Sequence, residues 1–309
     1  MKTAKACQYN LSPQCLLKNT GAKISVYGRM IKFEHSIFAL PFALSALLLA
    51  HRATPVTMSQ FFWIIMAVVW ARSAGMGFNR LVDAYWDGKN PRTAAREIPS
   101  GKISLIETTL FVVLTSFLFV FSALAISRIC FWFSFPVLFF LFLYSYTKRF
   151  TWLSHLVLGF VQALSPLGVW LAVTGDFSLK IAVLSLALAT YMVGLDILYA
   201  CQDTEFDRRE GLYSVPANFG VRRALRVSSL MHLLTFLSFL ALYRVFDLSP
   251  FYLVFVAVIG FFLALEHAIV KPDDLSRINF AFFHVNSIVS LLLLVSMLTE
   301  ELIRRFNIL

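Results

Sequence analysis

The sequence predicts an all-α, polytopic membrane protein, and three observations predict it. Mean hydropathy is +0.75, 59% of the 309 residues are hydrophobic against 14% charged, and the apolar residues fall in long uninterrupted runs. Lipid offers no partner for backbone N–H and C=O groups, so runs of this length span as helices that satisfy themselves internally, not as a barrel.

Nine spans are predicted in order, near residues 36–53, 60–79, 105–126, 129–147, 153–174, 179–199, 227–245, 250–268 and 280–302. The connections between them carry the charge. With the N-terminus placed in the cytoplasm, twenty Lys and Arg fall on that side, concentrated before the first span and in the second-to-third and sixth-to-seventh connections. The other side holds six, at Arg52, Arg128, Lys180, Arg244, Arg304 and Arg305, while Arg72 sits inside a span. This asymmetry predicts a multi-pass inner (plasma) membrane protein with a cytoplasmic N-terminus. It also accounts for the net charge of +10, which therefore is no sign of nucleic-acid binding.

Residues 1–28 read as a polar tail ahead of a transmembrane domain over 29–309. No cleavable signal peptide is legible, because about 35 mostly polar residues precede the first apolar run. Met30, just before IKFEHSIFALPF, is an alternative start to Met1. Cysteines 7, 15, 130 and 201 have neither metal-ligand spacing nor a disulfide framework and read as free thiols.

Against this apolar background stand two acidic ladders. NRLVDAYWD spaces Asn79, Asp83 and Asp87 four residues apart, and LDILYACQDTEFD places Asp196, Tyr199, Asp203 and Asp207 about 120 residues later. At 100° per residue the first set drifts by about 80°, and Asp203 and Asp207 stay within about 20° of Asp196. Each ladder is thus expected to show one helix face. Like charges so clustered are costly in apolar surroundings unless cations neutralise them.

The ladders share a topological position, at the cytoplasmic ends of spans two and six. Asp83 maps to Asp203, Asp87 to Asp207 and Asn79 to Tyr199, which predicts two four-helix halves plus a ninth helix. Each ladder runs into a basic connection. The first carries Lys89, Arg92, Arg96 and Lys102, with Pro91, Pro99 and Gly101 stopping the helix; the second carries Arg208, Arg209, Arg222 and Arg223. Long polar connections of this kind are expected to cap a cavity.

Paired carboxylates beside arginines suit a diphosphate held through Mg2+, which takes oxygen ligands and is usually bound by one or two carboxylates plus substrate phosphates. A bilayer implies that the diphosphate carries an isoprenoid tail. Ionising such an allylic diphosphate requires stabilising the leaving charge and keeping water from the cation.

These residues carry a resemblance. The chain resembles the UbiA superfamily of intramembrane aromatic prenyltransferases: NRLVDAYWD is similar to its NxxxDxxxD motif and DILYACQDTEFD to its DxxYxxxDxxxD motif, with PRTAAREIPSG and YSYTKRFT flanking them. The likeness covers residues 25 to 305 and is nearest to 4-hydroxybenzoate polyprenyltransferases, including a branch tied to the futalosine route to menaquinone.

The resemblance implies Mg2+-dependent transfer of a polyprenyl group from polyprenyl diphosphate to the ring of an aromatic acid. It implies metal and diphosphate binding at Asn79, Asp83 and Asp87 on one side and Asp203 and Asp207 on the other. Asp196 would orient basic residues near the aromatic substrate, and Arg92, Arg96 and Lys148 would hold phosphate. Tyr144 and Tyr199 would face the cation, and Arg29 would pair with the aromatic carboxylate. Leu81 and Val82 depart from the ubiquinone-pathway pattern, being more apolar, and leave open dihydroxynaphthoate, haem or chlorin as acceptor. Oligomeric state is not legible.

Plainer roles are expected elsewhere. Arg149 reads as a positive-inside anchor. The histidines at 35, 51, 155, 232, 267 and 284 offer no pair at a ligand spacing that also faces an acidic cluster and read as membrane-interface or packing groups, with His284 and Asn286 joining helices. Cys201 has no base beside it and reads as packing. A secondary transporter is the competing class, but carboxylates at span ends and halves of even helix count argue against it.

Overall fold

The structure, a computed structural model, describes residues 23, 25–32 and 36–306, with side chains of the first helix from residue 40 onward. Most of the polar tail, Cys7, Cys15 and His35 lie outside the described residues. The helices are α1 Ser36–Ala53, α2 Met58–Lys89, α3 Leu105–Ile126, α4 Arg128–Thr147, α5 Ser154–Thr174 and α6 Leu179–Ala200. They continue with α7 Thr204–Glu210, α8 Val215–Phe219, α9 Val221–Val245 and α10 Pro250–Ile269, and end with α11 Ile278–Arg305. Among the described residues eight helical runs are long and apolar enough to cross a membrane, and the apolar part of α1, Leu40–Ala53, is shorter. The protein is an all-α polytopic membrane protein.

Local chemistry sets the helix ends that matter here. Thr57 and Gln60 cap α2 reciprocally, and Ser104 and Glu107 do the same for α3. The second span runs well past residue 79. It continues to Lys89, and Asn90 stops it, with the Asn90 side chain accepting the Arg92 N–H at 3.0 Å. Asp83 and Asp87 are therefore carried on unbroken helix, and Asn79 donates to the Asp83 carboxylate one turn away at 2.9 Å.

The second ladder differs. A three-residue 3₁₀ turn, Cys201–Asp203, separates α6 from α7. Each 3₁₀ residue advances about 120° instead of about 100°, so three of them rotate the chain beyond by about 60°. The acidic face expected over residues 196–207 is thereby fanned to about 80°, the spread of the first ladder, and Asp196, Asp203 and Asp207 still act together on Lys148.

α6 is the most thoroughly buried span, packed chiefly between α5 and α9. Fully buried Tyr191 ties it to α11, donating its hydroxyl to the Asn286 carbonyl at 2.9 Å. At the start of α11 the backbone widens over Ala281–Val285 into a π turn, which leaves the Ala281 carbonyl to the Asn286 side chain at 3.0 Å. Asn286 thus joins helices, as expected. His232 and His267 do not stay apart, as sequence spacing implied: their ring nitrogens meet at 3.0 Å. Ahead of α1, Tyr27 stacks on Phe111 of α3 with ring centroids 5.1 Å apart, and Met30 and Ile31 bury against Ile103.

Candidate active site

The two ladders meet at one end of the bundle, where the α2–α3 connection folds over the α6–α7 junction. Arg92 reaches across to Asp203 with its Nε donating to Oδ1 at 2.9 Å and its Nη2 to Oδ2. Asn90 donates to the same Oδ1 at 3.0 Å. This fork-on-carboxylate geometry is the strongest form of side-chain ion pair. Arg96 turns back onto its own ladder and meets Asp87 Oδ1 at 2.5 Å.

The α4–α5 corner supplies the other two cations. Lys148 Nζ lies 3.4 Å from Asp207 Oδ2, and Arg149 lies 3.8 Å from Asp83 Oδ1 while donating to the Val82 carbonyl at 2.8 Å. Arg149 also stacks over the Trp86 ring, 4.3 Å from its centroid. Four carboxylates of the ladders are thus each matched by one basic side chain. Gly211, with φ of +70°, permits the reversal after α7 that brings Ser214 back to donate to Asp207 at 2.9 Å.

Asp196 is the fifth carboxylate, and its partner is a histidine. His155 Nε2 accepts the Val215 N–H at 3.2 Å, so its Nδ1 carries the proton and donates to Asp196 Oδ2 at 2.6 Å. His155 is buried.

Below this layer a cavity of about 380 Å³ runs between α2, α3, α4, α5 and α6. Asn79, Arg96, Tyr144, Asp196 and Tyr199 line its mouth, and its apolar lining reaches Ile126, Cys130 and Ala172. From Tyr144 to Cys130 along α4 is about 21 Å at 1.5 Å per residue. Asp83, Asp87, Asp203, Asp207 and Lys148 are not part of this lining; Asp83 is joined to it through Asn79, Asp87 through Arg96, and Asp203 through Arg92 and Tyr199. Tyr199 accepts a bond from Arg92 at its hydroxyl, 3.0 Å, and its ring packs against Phe282 of α11 at 4.3 Å between centroids.

A second group of cations faces the mouth. Arg29, Lys32, Arg80, Arg92 and Arg96 border one outer recess, and Arg72 and Arg80 also line the cavity. Arg72 and Arg80 tie down the turn ahead of α1, donating to the Lys32 and Met30 carbonyls at 3.3 and 3.2 Å. Lys32 itself holds a left-handed φ of 46°, which for a non-glycine residue costs about 1–3 kcal/mol. Arg29 is exposed and donates to Ser25 at 2.7 Å.

Burial, and after it the Arg80, Arg96 and Arg92 guanidiniums, push the Lys32 amine down to about 8. Burial works against charge on Lys148 too, but the carboxylates of Asp207, Asp196, Asp203 and Asp83 outweigh it and hold that ammonium above its ordinary value. Arg92 likewise is disfavoured by burial and held charged by Asp203.

Several of these residues were not legible as site residues. Arg149 resembled a membrane anchor and His155 a packing group, and nothing local links either to a carboxylate. A signal existed for Arg72, since a charge inside an apolar span is a functional candidate by default.

The carboxylate-rimmed, apolar, membrane-embedded cavity defines a class of intramembrane enzyme that handles a polar head and a lipid tail together. The chain belongs to the UbiA prenyltransferase family, whose model matches residues 39–288. It is 30% identical over 257 residues to a 4-hydroxybenzoate octaprenyltransferase of Vibrio cholerae serotype O1, covering 81% of this chain and 89% of that protein. It is 31% identical over 224 residues to one from Yersinia pseudotuberculosis serotype O:1b, covering 71% and 77%. The apo structure of a UbiA homolog from Aeropyrum pernix K1 superposes with a TM-score of 0.78 at 31% identity, covering 86% of this chain and 98% of that one. A UbiA homolog from Archaeoglobus fulgidus bound to GPP and Mg2+ shares the fold, with a TM-score of 0.66 at 17% identity, covering 89% and 98%. The protein is a prenyltransferase.

Proposed function

We propose that the protein transfers a polyprenyl group from polyprenyl diphosphate to the ring of a 4-hydroxybenzoate-like acid, in a Mg2+-dependent step of quinone biosynthesis. The observation that carries this reading is the pairing of two aspartate ladders and their cations above one long apolar cavity. The curated relatives act on 4-hydroxybenzoate by name, and the Archaeoglobus homolog was solved with GPP and Mg2+.

The residues fit a hard divalent cation. They offer oxygen donors only, and Asp87 Oδ2 is buried without a hydrogen bond, the orphaned acceptor a cation would satisfy. Asn79, Asp83 and Asp87 would hold it on one side and Asp203 and Asp207 on the other. Bound there, Mg2+ would offset charge on the diphosphate oxygens as the leaving group departs.

The chain's own residues do the rest. Arg92, Arg96 and Lys148, paired here with Asp203, Asp87 and Asp207, would turn to the phosphate oxygens when the diphosphate binds. The prenyl tail lies in the apolar cavity, which excludes water from C1. When the C1–O bond breaks, its electron pair leaves with pyrophosphate, and the Tyr144 and Tyr199 rings face the allylic cation. The ring carbon beside the acceptor hydroxyl then bonds to C1. The proton it releases passes to Asp196, whose carboxylate is aligned by His155. Lys32, Arg72 and Arg80, with Arg29 further out, attract the acceptor carboxylate.

The positive-inside count supports an inner-membrane orientation with the N-terminus and this site facing the cytoplasm. The test is a competition. Membranes containing the protein receive polyprenyl diphosphate, 4-hydroxybenzoate and dihydroxynaphthoate, with Mg2+ or with EDTA, and lipid products are read by mass spectrometry. Prenylated 4-hydroxybenzoate formed only with Mg2+ is expected. Prenylated dihydroxynaphthoate as sole product would move the acceptor to the menaquinone route, and undiminished product in EDTA would remove the metal.

A further inference from the structure

A second cluster of ligating side chains lies on the opposite side of α6, among α9, α10 and α11. His232 of α9, and Glu266 and His267 of α10, bring one ligand atom each within 4.8 Å of the others. His232 Nδ1 lies 3.0 Å from His267 Nε2 and 3.2 Å from Glu266 Oε2. Glu266 is fully buried and its Oε2 makes no hydrogen bond.

The hydrogen-bond arithmetic of this cluster does not close with protons. His232 Nε2 faces the Tyr191 carbonyl at 3.3 Å, so it is the donor there. In the neutral ring Nδ1 then holds a lone pair. It accepts from His267 at best, and faces the bare Glu266 Oε2 lone pair to lone pair. In the protonated ring Nδ1 has one hydrogen for two acceptors, Glu266 Oε2 and His267 Nε2. With Glu266 protonated instead, its Oε2–H donates to the His232 Nδ1 lone pair and His267 Nε2 is the atom left over; in each state one of the three atoms lacks a partner, which native interiors rarely tolerate.

The geometry points to a divalent transition-metal site formed by His232 Nδ1, His267 Nε2 and Glu266 Oε2, independent of the prenyl-transfer reading. One cation satisfies all three atoms at once. Two imidazoles and one carboxylate suit Zn2+ or a neighbouring first-row ion and not Mg2+. At Zn–N and Zn–O distances of about 2.0–2.1 Å, tetrahedral ligand atoms lie about 3.3 Å apart, close to the 3.0 and 3.2 Å present here.

The outer shell is built as metal sites are built. The non-ligating His232 nitrogen is held by the Tyr191 carbonyl, and Glu266 Oε1 accepts from Asn286 Nδ2 at 2.8 Å. Gly194 of α6 leaves the room His232 needs: a Cβ there would come within 2.3 Å of the His232 ring. Gly194 stands two residues before Asp196, and Ser228 of α9 donates to its carbonyl at 2.7 Å. A metal at this point fastens α9, α10 and α11 to the back of the helix whose front carries the second ladder. Its role is therefore structural support of α6, with water completing the four-coordinate site.

The test uses the full chain in detergent micelles with affinity tags removed. After EDTA dialysis, the protein is loaded with Zn2+ or Co2+ and read by elemental analysis, visible absorption and thermal unfolding. The expected result is one metal per chain, intense Co2+ bands of a four-coordinate site, and a higher unfolding temperature when loaded. Glu266→Gln and His267→Gln should each weaken Zn2+ binding at least about tenfold, while Asp83→Ala and Asp203→Ala leave it unchanged. Failure of the wild-type protein to give the four-coordinate Co2+ spectrum overturns the site, whatever the variants do. So does Zn2+ uptake that Glu266→Gln and His267→Gln leave intact, or that tracks the aspartate ladders instead.

Discussion

The two basic connections share a charge pattern and do different work. After α2, Arg92 and Arg96 swing onto Asp203 and Asp87. In the last turn of α7, Arg208 spends its donors on the Ala217 and Pro216 carbonyls at 2.7 and 3.5 Å, and Arg209 pairs with Glu210 at the surface. The second ladder is therefore neutralised by cations from earlier in the chain, Arg92 and Lys148, and not by its own loop. A repeated charge pattern marks where charge is needed; only the fold decides which cation arrives.

That comparison can be broken most forcefully at the ladders. Asp83→Ala and Asp203→Ala should each lower the rate of prenyl transfer by about 10²–10³-fold in a membrane assay with saturating Mg2+. Full activity in either would separate the ladders from the chemistry. Next in size is the contrast between the loops. Arg92→Ala should raise KM for the diphosphate about 10- to 100-fold, the worth of a charge-assisted bond. Arg208→Ala should leave kcat/KM of the folded protein unchanged and lower thermal stability instead, by about 1.5–3 kcal/mol. Equal kinetic damage from both would restore the symmetry of the two loops.

His155→Ala sharpens the same contrast within one helix, because Asp196 alone among the five carboxylates is held by a histidine. A loss of about 10- to 100-fold in kcat is expected, with KM for the diphosphate little changed. The smallest effect is a pH limb. Lys32 is charged below about 8 and loses its charge as pH rises through that value, so KM for the acid acceptor should climb modestly above pH 8. Lys32→Met should show the raised KM at all pH values, with the limb abolished. A limb that persists in the variant would assign it to another group.

The spans and ladders were legible because they depend on local periodicity. Apolar runs of spanning length have one solution in lipid, and Asn79, Asp83 and Asp87 sit on straight helix where a four-residue step is a fixed rotation. The second ladder was only half legible. Cys201–Asp203 winds as a 3₁₀ turn, and nothing in the tripeptide announces that turn or the pairing of Asp203 with Arg92 and of Asp196 with His155 across the bundle. Arg149 and His155 escaped for a related reason: each gains its role from a carboxylate more than 40 residues away.

By itself the sequence determined the all-α membrane class, the placement of two acidic ladders at one end of the bundle and the family they mark. These come from composition and from i, i+4 spacing, which act through neighbours along the chain. Tertiary structure alone decided the pairing of Asp203 with Arg92, of Asp207 with Lys148 and of Asp196 with His155, and it alone gathered His232, Glu266 and His267 around α6. Those choices are made by helices packing across the bundle, where a side chain's partner is set by distance in space and not by distance along the chain.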